Sequence, residues 1–240
     1  MTWLRSFLFN AINYPLQALL VIILGPFALF VGKKACYWVL WCMGCLYITL
    51  ARFICGVRYC VEGVENLPSS SFILASKHQS AWETGAYLVI FPRALFVLKK
   101  ELFSIPIYGA LLKKVGMIPI DRKQGKKALK DMIEAAQNET LKHAPIIIFP
   151  EGTRQAPGIQ GKYQSGAYLL QKKTKRVVVP VAINSGVFWP RRTFKKYPGT
   201  ITVKILPPMP VYEDRHMFME HLSQSIEEHS NALCGALLKK

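Results

Sequence analysis

The first sixty residues contain no aspartate and no glutamate; all 14 acidic side chains of the 240-residue chain lie beyond Cys60. A stretch of that length without an anion, and with two long apolar runs, does not read as the start of an ordinary charged globular domain, so the chain divides near Arg58 into a membrane-associated front and a folded back. Paired cysteines are also missing. Five of the six (Cys36, Cys42, Cys45, Cys55, Cys60) sit in or just after the apolar front, and Cys234 stands alone near the far end. Cys42 and Cys45 make a C-x-x-C, but no second pair or histidine cluster supplies the roughly four ligands of a structural zinc site. They read as small apolar side chains. The absence of a disulfide framework fits a reducing, cytosol-facing domain. No helix-turn-helix, zinc-finger or RNP-like pattern occurs, so nucleic acid is not an expected partner. A serine esterase would need a G-x-S-x-G elbow, which Gly161-Lys162-Tyr163-Gln164-Ser165-Gly166 does not provide. There is no internal repeat and no low-complexity tract.

What is present is hydrophobicity and positive charge. At 51% hydrophobic the chain can bury one full core, with little left for a second large domain. The formal net charge is +17, most of it carried after residue 60. Such a surface attracts anionic lipid headgroups or an acidic protein, or it is simply a solvated basic face.

The front holds apolar runs at 16–31 and 35–51, separated by Gly32-Lys33-Lys34 and closed by Arg52. As runs they fall slightly short of the ~20 residues of a straight membrane-crossing helix. The second run follows the first at once and no small-x-small cleavage site stands out, which argues against a removed signal peptide. Two spans would place Lys33 and Lys34 across the membrane from the basic domain, against the positive-inside bias. The expectation is a monotopic hairpin in one leaflet that keeps Arg5, Lys33, Lys34 and Arg52 at a single headgroup surface, with Tyr37, Trp38, Trp41 and Tyr47 at the interface. The domain boundaries expected are 1–57 for this two-helix hairpin and 58–240 for the folded domain.

Beyond it, β-rich runs at 57–61, 72–75, 94–98, 117–120, 146–149, 177–183 and 200–206 alternate with helix-like stretches at 82–90, 107–114, 126–141, 167–172 and 215–238. This alternation predicts an α/β fold with a mixed, largely parallel sheet flanked by helices. Functional residues in such folds gather at strand ends. Five blocks fall there. His78-Gln79-Ser80-Ala81-Trp82-Glu83 joins an imidazole, the usual proton acceptor near neutral pH, to a carboxylate that can fix its tautomer; a capping role for the same residues stays open. Phe149-Pro150-Glu151-Gly152-Thr153-Arg154 is a tight turn whose Arg offers a planar fork suited to phosphate, or else a structural turn. Gly116-Met117-Ile118-Pro119-Ile120-Asp121-Arg122 ends a strand on an Arg, and Lys99-Lys100-Glu101-Leu102 precedes Pro106 and Gly109. Residues 177–183 carry no chemistry and read as a core strand.

In this order the five blocks resemble the lysophosphatidic acid acyltransferases (1-acyl-glycerol-3-phosphate acyltransferases) of the glycerolipid acyltransferase superfamily. The likeness covers roughly 62–206, together with the two-helix front end of bacterial members. H-x-x-x-x-D/E followed by F-P-E-G-T-R at this distance is specific, although either motif alone is not. The resemblance implies transfer of a fatty acyl group to the sn-2 hydroxyl of lysophosphatidic acid, giving phosphatidic acid. Within it His78 is the general base and Glu83 its partner. Lys99, Arg122 and Arg154 clamp the phosphate, and Glu151 and Gly152 shape the acceptor site. It implies no metal and no cofactor beyond the acyl-CoA or acyl-carrier-protein thioester co-substrate, and no covalent acyl-enzyme on Ser80. It places the chain on the phospholipid membrane, at the cytoplasmic face of a bacterial inner membrane. Three departures bear on acceptor choice: Glu83 where the family usually has Asp, Gln155 where Ser is common, and Tyr163-Gln164-Ser165-Gly166 where an aromatic-Lys-x-Gly run is frequent. The alternatives are another lysolipid acceptor, such as lyso-ornithine lipid, and a non-enzymatic membrane lipid-binding protein.

Overall fold

In the structure, a computed structural model, residues 1–138 and 143–238 are described. Each of the seven β-rich runs becomes a strand: β1 (Val57–Glu62), β2 (Phe72–Ser76), β3 (Leu95–Lys99), β4 (Ile118–Ile120), β5 (Ile146–Ile148), β6 (Val177–Ile183) and β7 (Gly199–Ile205). They form one sheet in the order β1-β7-β6-β2-β5-β3-β4. Every neighbouring pair is parallel except β6 with β7, so β6, β2, β5, β3 and β4 run one way and β7 and β1 the other. The central strands are near-continuous Ile, Val, Leu and Phe because both sheet faces are covered. On β2, Leu74 points into one apolar layer and Ile73 and Ala75 into the other, all fully buried. Ile73 and Leu74 each contribute roughly 1.5–3 kcal/mol by that burial.

Helices α1 (Thr2–Val31), α2 (Lys33–Cys55), α3 (Trp82–Ile90) and α4 (Tyr108–Val115) cover the first face. Helices α5 (Lys126–Ala136), α6 (Gly166–Thr174) and α8 (Arg215–Leu238) cover the second, while the single turn α7 (Ser185–Phe188) follows β6. The helix expected over 126–141 ends at Ala136, and the last three of its expected positions, 139–141, lie outside the described residues.

The N-terminal helices differ from expectation in length. They run for 30 and 23 residues, well past the apolar runs. The flanking polar residues of α1 are helical because the folded domain gives them partners: Ser6 Oγ accepts from Lys196 N (2.9 Å), and Asn10 Oδ1 accepts from Lys196 Nζ (3.0 Å). Gly32, at φ 127°, makes the reversal that a side chain would strain. At ~1.5 Å per residue both helices are long enough to cross a membrane. Yet the hairpin packs lengthwise against the α/β layers. A Cβ at Gly44 would meet Gly85 O at 2.9 Å, and one at Gly25 would meet Ile107. Near the reversal, Tyr37 Oη donates to Val115 O (3.0 Å). Only 17% and 28% of their most apolar windows are buried, which separates these helices from the core helices of a soluble protein. Their outer face exposes Phe7, Ile23, Phe27, Phe30 and Trp38, an apolar stripe that associates the chain with a membrane.

Candidate active site

Four adjacent parallel strands, β2, β5, β3 and β4, end on the same edge of the sheet, and each end carries one of the expected motifs. His78 follows β2, Glu151 follows β5, Lys99 closes β3 and Arg122 follows β4. With neighbouring strands ~4.8 Å apart, topology alone lines these residues up along the carboxyl edge.

After β2 the chain turns sharply into α3. Ser80 Oγ accepts from Trp82 N (3.0 Å) and the Glu83 carboxylate reaches back to the amides of Gln79 and Ser80 (3.0 Å each), a reciprocal arrangement of the S-x-x-E capping kind. Ser185, at the start of α7, donates its hydroxyl to Glu83 Oε1 in a short bond. The carboxylate is fully buried, and its Oε2 lies 3.6 Å from His78 Nδ1. This is a close approach rather than a formed hydrogen bond, since buried Nδ1 has no hydrogen-bond partner. The imidazole stacks on Phe149 at 4.1 Å between centroids. The capping and catalytic readings of Glu83 are therefore compatible, with one carboxylate placed for both. Ser80 is fully buried, and its oxygen accepts from Trp82 N.

The turn after β5 closes through Gly152 N donating to Phe149 O (2.9 Å), with Gly152 at φ 64°, where glycine is favoured. Glu151 points inward. Its Oε2 accepts from His78 N (3.2 Å), and its Oε1 accepts from Lys77 Nζ (2.7 Å) and Gly161 N (3.1 Å). Burial pushes its carboxyl pKa up, against the pull of Lys77 and the two amides. Gln155 N donates to His78 O (2.8 Å), and the Gln155 side chain accepts from Arg191 Nη1 (3.3 Å).

Gly152, Thr153, Glu151 and Phe149 open onto a cavity of about 450 Å³ that runs between β4, β5 and α5. Its walls are largely apolar (Val97, Leu129, Met132, Ile148), and Arg122 is its cation. Burial pulls the Arg122 guanidinium pKa down, partly offset by the Glu101 carboxylate. The other two basic residues lie outside this lining. Lys99 is exposed and paired with Glu101 (3.1 Å). Arg154 is half-buried on the hairpin side. There, burial and the nearby Glu83 push the Tyr47 phenol well up while Arg154 pulls it back. Lys162, a candidate to replace the family's downstream lysine, lines a separate, open surface hollow with His216 and Glu220. Among the described residues no group of three or more His, Cys, Asp or Glu is disposed to hold a metal ion, and all six cysteines are free.

Sequence reasoning missed Lys77, Ser185 and Glu227. A lysine directly before His78 at the end of an apolar strand was a visible oddity. Ser185 and Glu227 gave no local signal, since their partners lie 102 and 150 positions away.

Comparison with known proteins identifies the family and the fold. The acyltransferase family profile matches residues 58–184, from β1 to just past β6. A 1-acyl-sn-glycerol-3-phosphate acyltransferase of Pseudomonas aeruginosa is 38% identical over 187 residues, covering 78% of this chain and 72% of that protein. The alpha enzyme of that name from Homo sapiens is 29% identical over 66% of this chain, which spans 57% of its length. The crystal structure of the 1-acyl-sn-glycerophosphate acyltransferase PlsC from Thermotoga maritima matches 97% of this chain and 98% of its own, with a TM-score of 0.79. At 24% identity that match establishes the shared fold, N-terminal hairpin included. With the profile spanning more than half its length and a relative this similar, the chain belongs to the acyltransferase family, alongside the 1-acyl-sn-glycerol-3-phosphate acyltransferases.

Proposed function

We propose that the chain transfers a fatty acyl group from an acyl thioester to the sn-2 hydroxyl of lysophosphatidic acid, forming phosphatidic acid. The observation that carries this is the His78–Glu83 pair, an imidazole 3.6 Å from a carboxylate fixed by two amides and Ser185. Glu83 on the Nδ1 side leaves Nε2 to take the acceptor's proton as its oxygen attacks the thioester carbonyl. The C–S bond then breaks, and the departing thiolate takes the proton back from the imidazolium. Glu83 favours the imidazolium electrostatically. No metal or covalent acyl-enzyme is part of this scheme.

The relatives' names support the acceptor, and Arg122 beside an apolar cavity suits a phosphate with a chain attached. Lys99 and Arg154 complete the clamp on this reading by swinging in when the acceptor binds, and Gly152 bounds its site. The donor is an acyl-CoA or an acyl-carrier-protein thioester. The membrane placement is monotopic and cytoplasmic. It is supported by hairpin contacts with the domain at both ends, from Ser6 with Lys196 to Tyr37 with Val115.

The test is an acceptor panel on the purified full chain in lipid or detergent, with both donors. Lysophosphatidic acid, glycerol 3-phosphate and lyso-ornithine lipid are offered, and products are read by mass spectrometry. Phosphatidic acid as the dominant product is expected; preferential acylation of another acceptor, or no transfer at all, overturns the assignment.

A further inference from the structure

Both sequence neighbours of His78 are held by the last helix. Lys77 is 1% exposed, and all three of its ammonium donors are used: to Glu151 Oε1 (2.7 Å), Ile159 O (3.0 Å) and Glu227 Oε1 of α8 (2.5 Å). On the other side, Gln79 is equally buried and sends Nε2 to Cys234 Sγ of α8 at 3.8 Å, while its Oε1 accepts from Gly186 N (2.9 Å). Glu227 and Cys234 stand seven residues apart, two turns along one helix face. Between them Ser230 Oγ accepts from Ile183 N (3.3 Å), which fastens the same face to the end of β6. Tyr163 Oη donates to Glu227 Oε1 (2.9 Å) and so ties the loop after the Glu151 turn into the group.

A buried ammonium facing two carboxylates is an expensive way to fill a core. Apolar side chains of similar volume are often as stable or more so. Burial pushes the Glu151 carboxyl pKa up, against the pull of Lys77. What the ions do that apolar side chains would not is transmit position. The Glu151 oxygen that Lys77 leaves free accepts from the His78 amide (3.2 Å). Glu227 thus orients Lys77, Lys77 orients Glu151, and Glu151 holds the backbone of the imidazole.

We propose that Glu227 and Lys77 are positioning residues for His78, and that α8, which lies beyond the matched family segment, is thereby part of the catalytic apparatus. The inference rests on the acyl-transfer reading of His78 but adds to it a dependence on the C-terminal helix. Neither residue touches the substrate. Both act by keeping the imidazole within the narrow range of positions that proton transfer tolerates, where a displacement of ~1 Å can cost about a hundredfold.

The experiment measures steady-state kinetics of full-length Glu227→Ala, Glu227→Gln and Glu227→Asp in detergent, below the melting onset of each variant. The wild type is first assayed on the acceptor panel. If it acylates no acceptor, the functional reading fails by itself. If it prefers another acceptor, the variants are compared on that one. Glu227→Ala is expected to lower kcat about ten- to a hundredfold while KM for the acceptor stays within about twofold. Glu227→Gln keeps an acceptor for Lys77 and Tyr163 and should recover most of that loss. A Glu227→Ala enzyme that melts earlier but turns over at the wild-type rate, or loses only KM, overturns the proposal. Should that variant not fold, Glu227→Asp decides. It keeps the charge but is one methylene shorter, which draws Lys77 and through it Glu151 out of place, and is expected to lower kcat about threefold or more; wild-type turnover would rule the device out.

Discussion

Glu83 Oε2 stands 3.6 Å from His78 Nδ1, while the same carboxylate accepts from the backbone of Gln79 and Ser80, the first two of the four residues that link the pair. The joining loop thus fixes the carboxylate, and Ser185 and Glu151 brace the pair from outside it. His78→Ala removes the proton acceptor without breaking that frame. It is expected to lower kcat by roughly 10²–10⁴ with little change in melting temperature. More than a tenth of wild-type turnover, against the lower end of that range, rules out the mechanism.

Exchange at Glu83 separates its two duties. In Glu83→Gln one oxygen becomes an amide donor. If that donor faces Nδ1 it selects the tautomer with hydrogen on Nε2, and if it faces the Gln79 and Ser80 amides it meets donors with a donor. Either way the rate falls, by roughly 10²-fold or more. Glu83→Asp keeps the charge and loses a methylene, and so should retain a substantial part of the activity. Comparing kcat for both variants checks this ordering, and a Gln variant faster than the Asp variant contradicts it.

Arg122 and Arg154 are expected to act on the acceptor phosphate. A hydrogen bond to a charged group contributes roughly 1.5–3 kcal/mol, so Arg→Ala at either should cost about ten- to a hundredfold in kcat/KM for lysophosphatidic acid. The loss should nearly vanish for an acceptor without the phosphate. Equal losses on both acceptors would favour a purely structural role. Arg122, already in the cavity wall, should show the larger effect.

The strands were legible because parallel strands buried on both faces must be apolar throughout, as 146–148 and 177–183 are. His78 and Glu83 were legible because the turn that joins them is local. The grip of α8 on Lys77 and Gln79 was not, since a lysine's burial depends on where Glu227 arrives, 150 positions later. The true length of α1 was hidden for the same reason. Ser6 and Asn10 read as polar flanks until Lys196 supplies their partners. Lys99 shows the converse. Its place on the carboxyl edge followed from sequence, but its side chain pairs with its near neighbour Glu101 rather than facing the cavity.

The hairpin and the α/β layers share one apolar cluster, in which Phe9, Cys36 and Leu40 pack with Phe72, Trp82 and Leu111. A close crossing is Gly44 on α2 against Gly85 on α3, where an added Cβ at Gly85 would meet the Tyr47 ring at 2.5 Å. Gly44→Val should push the helices apart and cost roughly 1–3 kcal/mol. A thermal melt in detergent should show a lower, still single transition. Two transitions would mean that hairpin and domain unfold separately.

The last prediction concerns which side of the membrane the Gly32 reversal occupies. Length does not decide, because helices of 30 and 23 residues suffice to cross. Two other considerations support the proposed one-leaflet placement. Lys33 and Lys34 are each costly to carry across a bilayer, and the positive-inside bias keeps them with the basic domain. A spanning hairpin would also carry its reversal away from the domain, whereas Tyr37, four residues past Lys33, donates to Val115 O at the end of α4 (3.0 Å). On the proposed one-leaflet placement, the hairpin would bury its apolar stripe among acyl chains and keep that contact, and an amphiphilic acceptor would reach the His78 edge without leaving the headgroup region. Lys33→Cys, in a background with the six native cysteines replaced, should therefore react with an impermeant thiol reagent only from the cytoplasmic side. Labelling from the opposite face alone would establish two true spans and break the Tyr37–Val115 contact, while leaving His78 and Glu83 in their assigned roles.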